Sequence, residues 1–263
     1  MIKGKDIIVV GIQAWDIEIG SNCKNIAREF AKHNRVLYVN PPLDTTTERS
    51  EKHKERIQKR IRIKNGLEDG LVEIDQNLWN LYPKQGVKSI NGIPVNSVYN
   101  ILNKRNAKRF AADIKSTADQ LGFKDFILFN DSSMFLGLHL KELLQPKAYA
   151  YYMRDYLIKV PYWKKHGERL EPITVKNADV VLTNSEFYED LFSPINKHSY
   201  MVGQGCDVSL FSDEDDSIAI PKEFENIPKP VIGYVGYLTT LRLDLEVIEH
   251  LANERKDWSI VLV

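Results

Sequence analysis

"DIIVVGIQAWDIEIGSNCKNIAREFAKHNRVLYVNPP", Asp6 to Pro42, decides the fold class. Asp6 opens a β-branched run that ends in Gly11, Ile26, Ala27 and Phe30 mark one face of a helix, and Arg35 opens a second such run that ends in Asn40-Pro41-Pro42. Two strands separated by a helix form a crossover, and a crossover joins parallel strands.

The pattern continues down the chain. "FILFND" from Phe126, "AYAYYMRD" from Ala148, "DVVLTNS" from Asp179 and "SYMVGQG" from Ser199 are short apolar runs closed by turn residues. Several show little alternation, as strands covered on both faces do. The clearest helix between them spans Asn96 to Leu121, with Val98, Ile101, Leu102, Phe110, Ala111, Ile114, Ala118 and Leu121 on its apolar face, Asn96 as N-cap and Gly122 as its stop. The expected fold is α/β, a Rossmann-like doubly wound parallel sheet with helices on both faces. Ligands of such sheets bind beyond the carboxyl ends of the strands, where these Asn, Asp, Ser and Gly residues fall.

The chain is long enough for one large or two ordinary domains: 263 residues, 43% hydrophobic and 27% charged, an ordinary globular composition. Lys+Arg and Asp+Glu both total 36, so no global field favours nucleic acid, and none is expected as a partner. No segment approaches membrane-spanning length and the N-terminus lacks a signal pattern, which points to the cytoplasm. Cys23 and Cys206 have no metal-ligand spacing, so neither a disulfide framework nor a metal site is implied. One stretch is locally basic: residues 49–66, "RSEKHKERIQKRIRIKNG", with Ile57 and Ile61 at helical spacing. It reads either as a basic amphipathic helix in peripheral contact with an anionic inner membrane face, or as a solvated excursion between strands.

"SDEDDSIAIPKEFENIPKP", Ser212 to Pro230, is acidic, proline-bearing and without apolar periodicity. The expected organisation is a first domain over 1–212, a linker over 213–229 and, over 230–263, the first β-α-β of a second Rossmann-like domain. "KPVIGYVGYLTTLRLDLEVIEHLANERKDWSIVLV" opens that second unit and stops at Val263 with no helix after its last strand.

A glycine-bearing loop before the first helix, "ADVVLTNSEFYEDLF", "YMVGQGCDVSLF" and "KPVIGYVGYLTTLRLDLEVIEHLA", in this order, resemble GT-B glycosyltransferases of the large retaining family 4, and bacterial polysaccharide and teichuronic-acid-type sugar transferases among them. The "YYMRD" strand from Tyr151 to Asp155 is similar to theirs too. The resemblance implies transfer of a sugar, of hexosyltransferase type, from a nucleotide-sugar to a saccharide or lipid-linked acceptor, with no cofactor and no metal. The first domain would hold mainly the acceptor and the second the donor.

Carried onto this sequence, Gly236 and Arg242 in "GYVGYLTTLR" would face the donor phosphates, joined by Gly20 and Ser21 at the first helix. Gly11 and Gly20 are nine apart, which argues against a dinucleotide fingerprint. Asp16, Asp131 and Asp155 are the candidate catalytic carboxylates, as sugar-hydroxyl ligands or as a base if the enzyme inverts. Asn22, Asn130, Arg154 and Glu171 are the candidate acceptor ligands. Tyr237 departs from a second cation, and Gln204 from an asparagine, of the family pattern. The family's acidic pair would lie beyond Val263, so this 263-residue chain alone is expected to be inactive or nearly so. Two rivals share parts of the pattern: a GT-B-fold NDP-sugar 2-epimerase and a non-enzymatic two-lobed ligand-binding protein.

Overall fold

The computed structural model describes residues 2–50, 54–205, 221–240 and 242–263. The chain divides into two compact units, Met1–Cys206 and Asp207–Val263. Cys206, Asp207 and the start of the expected linker lie outside the described residues.

The first unit is built on one eight-stranded sheet. In chain order the strands are β1 (Asp6–Gly11), β2 (Arg35–Val39), β3 (Leu71–Asp75), β4 (Leu78–Leu81), β5 (Ile127–Asp131), β6 (Ala148–Met153), β7 (Val180–Thr183) and β8 (Ser199–Met201). The helices are α1 (Asn22–Ala31), α2 (Lys54–Lys64), α3 (Asn96–Gln120), α4 (Leu140–Leu144), α5 (Pro161–Asn177) and α6 (Glu186–Phe192). The spatial order is β3-β4-β2-β1-β5-β6-β7-β8, and every neighbouring pair is parallel except β3 and β4.

Strands β1 and β5 show why the sequence lacks alternation. Ile7, Val9 and Phe129 pack with Cys23 and Ala27 of α1 on one face, while Ile8, Val10 and Leu128 pack with Phe110 and Ile114 of α3 on the other. Ile7, Ile8, Val9 and Val10 are all essentially buried. Each such side chain contributes about 1.5–3 kcal/mol of transfer free energy, which both faces need in order to hold their helices.

Three local expectations change. The antiparallel edge of β3 and β4 is an addition to the expected parallel sheet; its tight turn uses Asn77 at φ 62, a left-handed conformation that asparagine tolerates. The long helix begins at Asn96, with Val95 rather than Asn96 in the cap position and no side-chain cap bond. Its first half is rotated from the expected face: Val98 and Ile101 are 45% and 57% exposed, while Tyr99, Asn103 and Asn106 are buried. At its other end Gly122 adopts φ +67 and Phe123 N donates to Ala118 O at 2.8 Å, the glycine stop the sequence called for.

The basic stretch is helical over Lys54–Lys64, but the apolar groups a membrane-lying helix would have to expose are packed, with Ile57 and Ile63 buried and Ile61 half-buried. Lys59 and Arg60 lie over the ring of Tyr82, Arg60 reaches the carbonyl of Pro41 at 3.3 Å, and Lys64 pairs with Glu48 at 2.7 Å. No described helix is long and apolar enough to cross a membrane.

The second unit holds two parallel strands, β9 (Val231–Tyr234) and β10 (Ser259–Leu262), joined through helix α7 (Leu245–Glu254). Asp244 caps α7, accepting from the amides of Glu246 and Val247 at 3.1 and 3.4 Å.

Candidate functional site

Strand order reverses at β1, whose neighbours β2 and β5 lie on opposite sides, so the crevice at the carboxyl ends of these strands is the topological switch point of the sheet. The loop leaving β1 is tied down: Trp15 N donates to Asn40 Oδ1 at 2.7 Å, Gln13 Nε2 to Ile19 O at 3.0 Å, and the Lys24 ammonium to the carbonyls of Ile17 and Ile19. Gly11 is required here because a Cβ would collide with the Tyr38 hydroxyl, which donates to Gln13 O at 2.7 Å.

On the α1 side, Ser21 is the N-cap of the helix, its hydroxyl accepting from Lys24 N at 3.3 Å, and Asn22 Nδ2 donates to the Tyr152 hydroxyl at 2.6 Å. Gly20 is exposed with nothing near the position of a Cβ, so close packing does not dictate its glycine. Asp131, the last residue of β5, is completely buried and accepts from Arg154 Nε at 2.9 Å and Nη2 at 3.3 Å. Burial pushes the Asp131 carboxyl up, against the opposing pull of Arg154. Burial alone would lower Arg154, but its hydrogen bond to Asp131 and the charges of Asp131 and Asp155 outweigh that and hold it firmly cationic. Arg154 Nη1 also donates to Asp155 at 2.8 Å, and Asp155 is about half exposed. Asp131, Arg154 and Asp155 therefore form one array, in which Asp155 is the accessible carboxylate.

Asp16 stands apart from that array. Its carboxylate lies 3.7 Å from Arg60 of α2, and neither oxygen has a hydrogen-bond partner among the described residues.

Two candidates from the sequence turn inward. Asn130 is completely buried; its Nδ2 donates to the Tyr149 hydroxyl at 2.7 Å and to Ser133 O at 3.3 Å, and its Oδ1 accepts from Ser133 N at 2.9 Å. It faces the sheet surface opposite Asp131, as alternation along a strand demands, and its amide is spent on the β5 turn rather than offered to an acceptor. Glu171, 3% exposed on α5, accepts from the Tyr151 hydroxyl at 2.7 Å, and burial raises its carboxyl above the ordinary range.

The α3 side carries a cavity of about 660 Å³, within the size range of small-molecule sites. Val10 and Gly11 of β1, Pro41 to Thr47, Val87 to Gly92, the first half of α3, Ser133 to Leu136, and Tyr162 and Trp163 of α5 surround it. Phe135 and Trp163 stack at 5.2 Å between centroids, and Tyr162 meets Trp163 edge-on at 5.3 Å. Asp44 latches the rim: its carboxylate accepts from Thr46 N at 2.9 Å, from Thr47 N at 3.2 Å, and from the hydroxyls of Thr47 and Ser89. Burial would raise that carboxyl, but these hydrogen bonds prevail and hold it below the ordinary range. Sequence reading missed this whole wall; the adjacent Tyr162-Trp163 pair was its one visible sign.

In the second unit, Gly236 N donates to Val263 O at 2.8 Å, and a Cβ there would collide with the Tyr234 hydroxyl at 2.6 Å. Arg242 is exposed, its amide donating to Thr239 O at 2.9 Å. Among the described residues there is no cluster of His, Cys, Asp and Glu able to hold a metal ion.

No family model matches the sequence, and no curated protein does. Among solved structures, the chain is similar to sucrose-phosphate synthase from Thermosynechococcus elongatus at 10% identity and a TM-score of 0.45, over 79% of this chain and 93% of that one. It is similar to Os79 from O. sativa, a structure in complex with UDP, at 11% identity and a TM-score of 0.48, covering 94% of this chain and 64% of that one. It is also similar to Phytolacca americana UGT2, complexed with UDP-2-fluoro-glucose and pterostilbene, at 13% identity and a TM-score of 0.48, covering all of this chain and 72% of that one.

Proposed function

We propose that this chain belongs to a glycosyltransferase, its first unit binding the acceptor and its second contributing to the binding of a nucleotide-sugar. The observation that carries the reading is the switch-point crevice of the first unit, where an aromatic-walled cavity and a half-exposed carboxylate, Asp155, lie off the carboxyl ends of β1, β2, β5 and β6. Retaining family 4 chemistry and a role in bacterial surface polysaccharide synthesis in the cytoplasm rest on the motif resemblance. In that reading Asp155 approaches the acceptor hydroxyl, while both oxygens of Asp16 are enclosed, and Gly236 and Arg242 face the donor phosphates. Asp131 acts through Arg154 rather than on the sugar, because its carboxylate is enclosed.

The test is a panel of UDP- and GDP-sugars with saccharide acceptors, read as nucleotide release and as a mass increase of one hexose on the acceptor. Transfer from one donor that falls at least about tenfold in Asp155→Asn is the expected result. A protein that neither binds nor consumes any nucleotide-sugar of the panel would falsify the reading.

A further inference from the structure

The cavity on the α3 side holds information about its ligand that the transferase reading does not supply. Its charged lining is limited to Asp44 and Lys88; Lys88 is exposed, and the Asp44 carboxylate is already occupied by its own loop. Apart from the exposed Lys88, no guanidinium or ammonium of the described residues lines the wall to receive a phosphate or a carboxylate, and a desolvated anion needs a buried one.

What the wall does contain is unmet acceptor capacity. Asn91 lines the cavity; its Nδ2 donates to Tyr162 O at 3.0 Å, while its Oδ1 is buried without a partner among the described residues. His166 lies 2% exposed behind Tyr99, its ring stacked on the tyrosine at 3.6 Å. Nε2 of His166 meets the carbonyl of Asn91 at 3.3 Å, and since a carbonyl can only accept, Nε2 carries the proton and Nδ1 is left as a second acceptor without a partner. Burial lowers the pKa of His166, with Lys165 and Arg169 adding to the shift and the carbonyls of Asn91 and Ile93 opposing it, which agrees with a neutral ring. His166 does not line the cavity, so the Asn91 oxygen is the unpaired acceptor that the wall presents, and a buried acceptor is costly to leave unpaired unless something donates to it. Beside Asn91, which is bonded to the Tyr162 backbone, Phe135, Tyr162 and Trp163 form an aromatic surface, and Tyr162 is 55% exposed.

We propose that this cavity binds an uncharged, hydroxyl-bearing ring, which packs an apolar face against the aromatic surface of Trp163 and Tyr162 and donates a hydroxyl proton to Asn91 Oδ1. The proposal rests on the acceptor-site reading above and narrows it: the group entering here is neutral, so an acceptor carrying a phosphate must leave that phosphate outside the cavity. A sugar and a phenol share this chemistry, and the test separates them.

Calorimetric titration of the full chain, with no nucleotide present, would use methyl α-glucoside, 4-methylumbelliferone and, as the anionic comparison, glucose 1-phosphate. The expected result is saturable one-to-one binding of the glucoside, the phenol or both, weakened about tenfold in Trp163→Ala and in the milder surface variant Tyr162→Ala, and unchanged in Phe187→Ala. Binding by the glucoside alone assigns a saccharide, and by the phenol alone an aromatic acceptor. The proposal is overturned if neither neutral probe binds, if Tyr162→Ala and a folded Trp163→Ala both bind as wild type, or if glucose 1-phosphate binds more tightly than the glucoside. Because no donor is involved, a neutral ring that binds to a chain which binds no nucleotide-sugar sinks the transferase reading and leaves this one. Transfer that ignores both aromatic variants does the reverse.

Discussion

Arg154 holds the enclosed carboxylate of Asp131 by two of its nitrogens, at 2.9 and 3.3 Å, and passes a third donor to Asp155 at 2.8 Å. The pair lies at the carboxyl ends of β5 and β6, directly behind the helix start that Ser21 caps and beside Cys23, which contributes to the electrostatics of both. A buried ion pair is weak grounds for net stability, yet breaking one side of it is expensive, because the surviving charge stays where water cannot reach it.

Arg154→Ala is therefore expected to lower the unfolding free energy by about 3–5 kcal/mol, read from the urea midpoint. Arg154→Lys should recover only part, since a point charge cannot span both Asp131 oxygens. The double variant Asp131→Asn/Arg154→Ala should be more stable than Arg154→Ala alone. If it is not, Asp131 is not the group that Arg154 neutralises.

Asn130 offers a sharp contrast between an internal role and a ligand role. Asn130→Ala leaves Ser133 N without its partner, at a cost of about 1–3 kcal/mol, and removes a donor to the Tyr149 hydroxyl, which keeps its own bond to Gly137 O at 3.2 Å. The expected signature is a lower thermal midpoint with acceptor KM unchanged in the folded fraction. A raised KM at wild-type stability would restore the acceptor role.

What could be read from the sequence follows from the range of each interaction. The runs at Asp6, Arg35, Phe126 and Ala148 declare themselves because strands buried on both faces are apolar at every position, and Ser21 and Gly122 mark helix ends through bonds made within a few residues. The same locality places Asn130 and Asp131 on opposite faces of β5, but the identity of the partners waiting there, Tyr149 and Arg154, depends on the pairing with β6. The cavity was hidden for the same reason, since its wall is assembled from six separate segments between Val10 and Trp163. On the first half of α3, Tyr99, Asn103 and Asn106 face inward because that cavity and the Lys88 backbone accept polar groups, and a rule counting only aliphatic residues picks Val98 and Ile101 instead.

Asp44 ties residues 44–47 to Ser89 across the cavity rim. Asp44→Ala should loosen this latch, with a loss of about 1.5–3 kcal/mol for charge-assisted hydrogen bonds and weaker binding of any cavity ligand. The folded carboxyl titrates below its ordinary 3.8, so its contribution is complete above that pH and disappears as pH falls through the lowered value. Wild type and Asp44→Asn should thus converge in stability at the acid end and diverge above about pH 4. Parallel curves across that range would show that the latch does not depend on the charge.

Glu171 gives the opposite slope. Burial raises its carboxyl above the ordinary 4.5, while the bond from the Tyr151 hydroxyl opposes the shift. The folded state consequently binds the proton more tightly than the unfolded chain does, and the contribution of this site is full below that ordinary value and declines as pH rises through the folded one. Glu171→Gln keeps an oxygen for Tyr151 and removes the buried charge, so it should match wild type near pH 4 and exceed it near pH 8, with the difference opening between those values. Thermal midpoints of the two proteins across that range measure it directly. A variant whose deficit against wild type grows from pH 4 to pH 8 would mean that Glu171 is stabilised as an anion by a neighbour stronger than Tyr151.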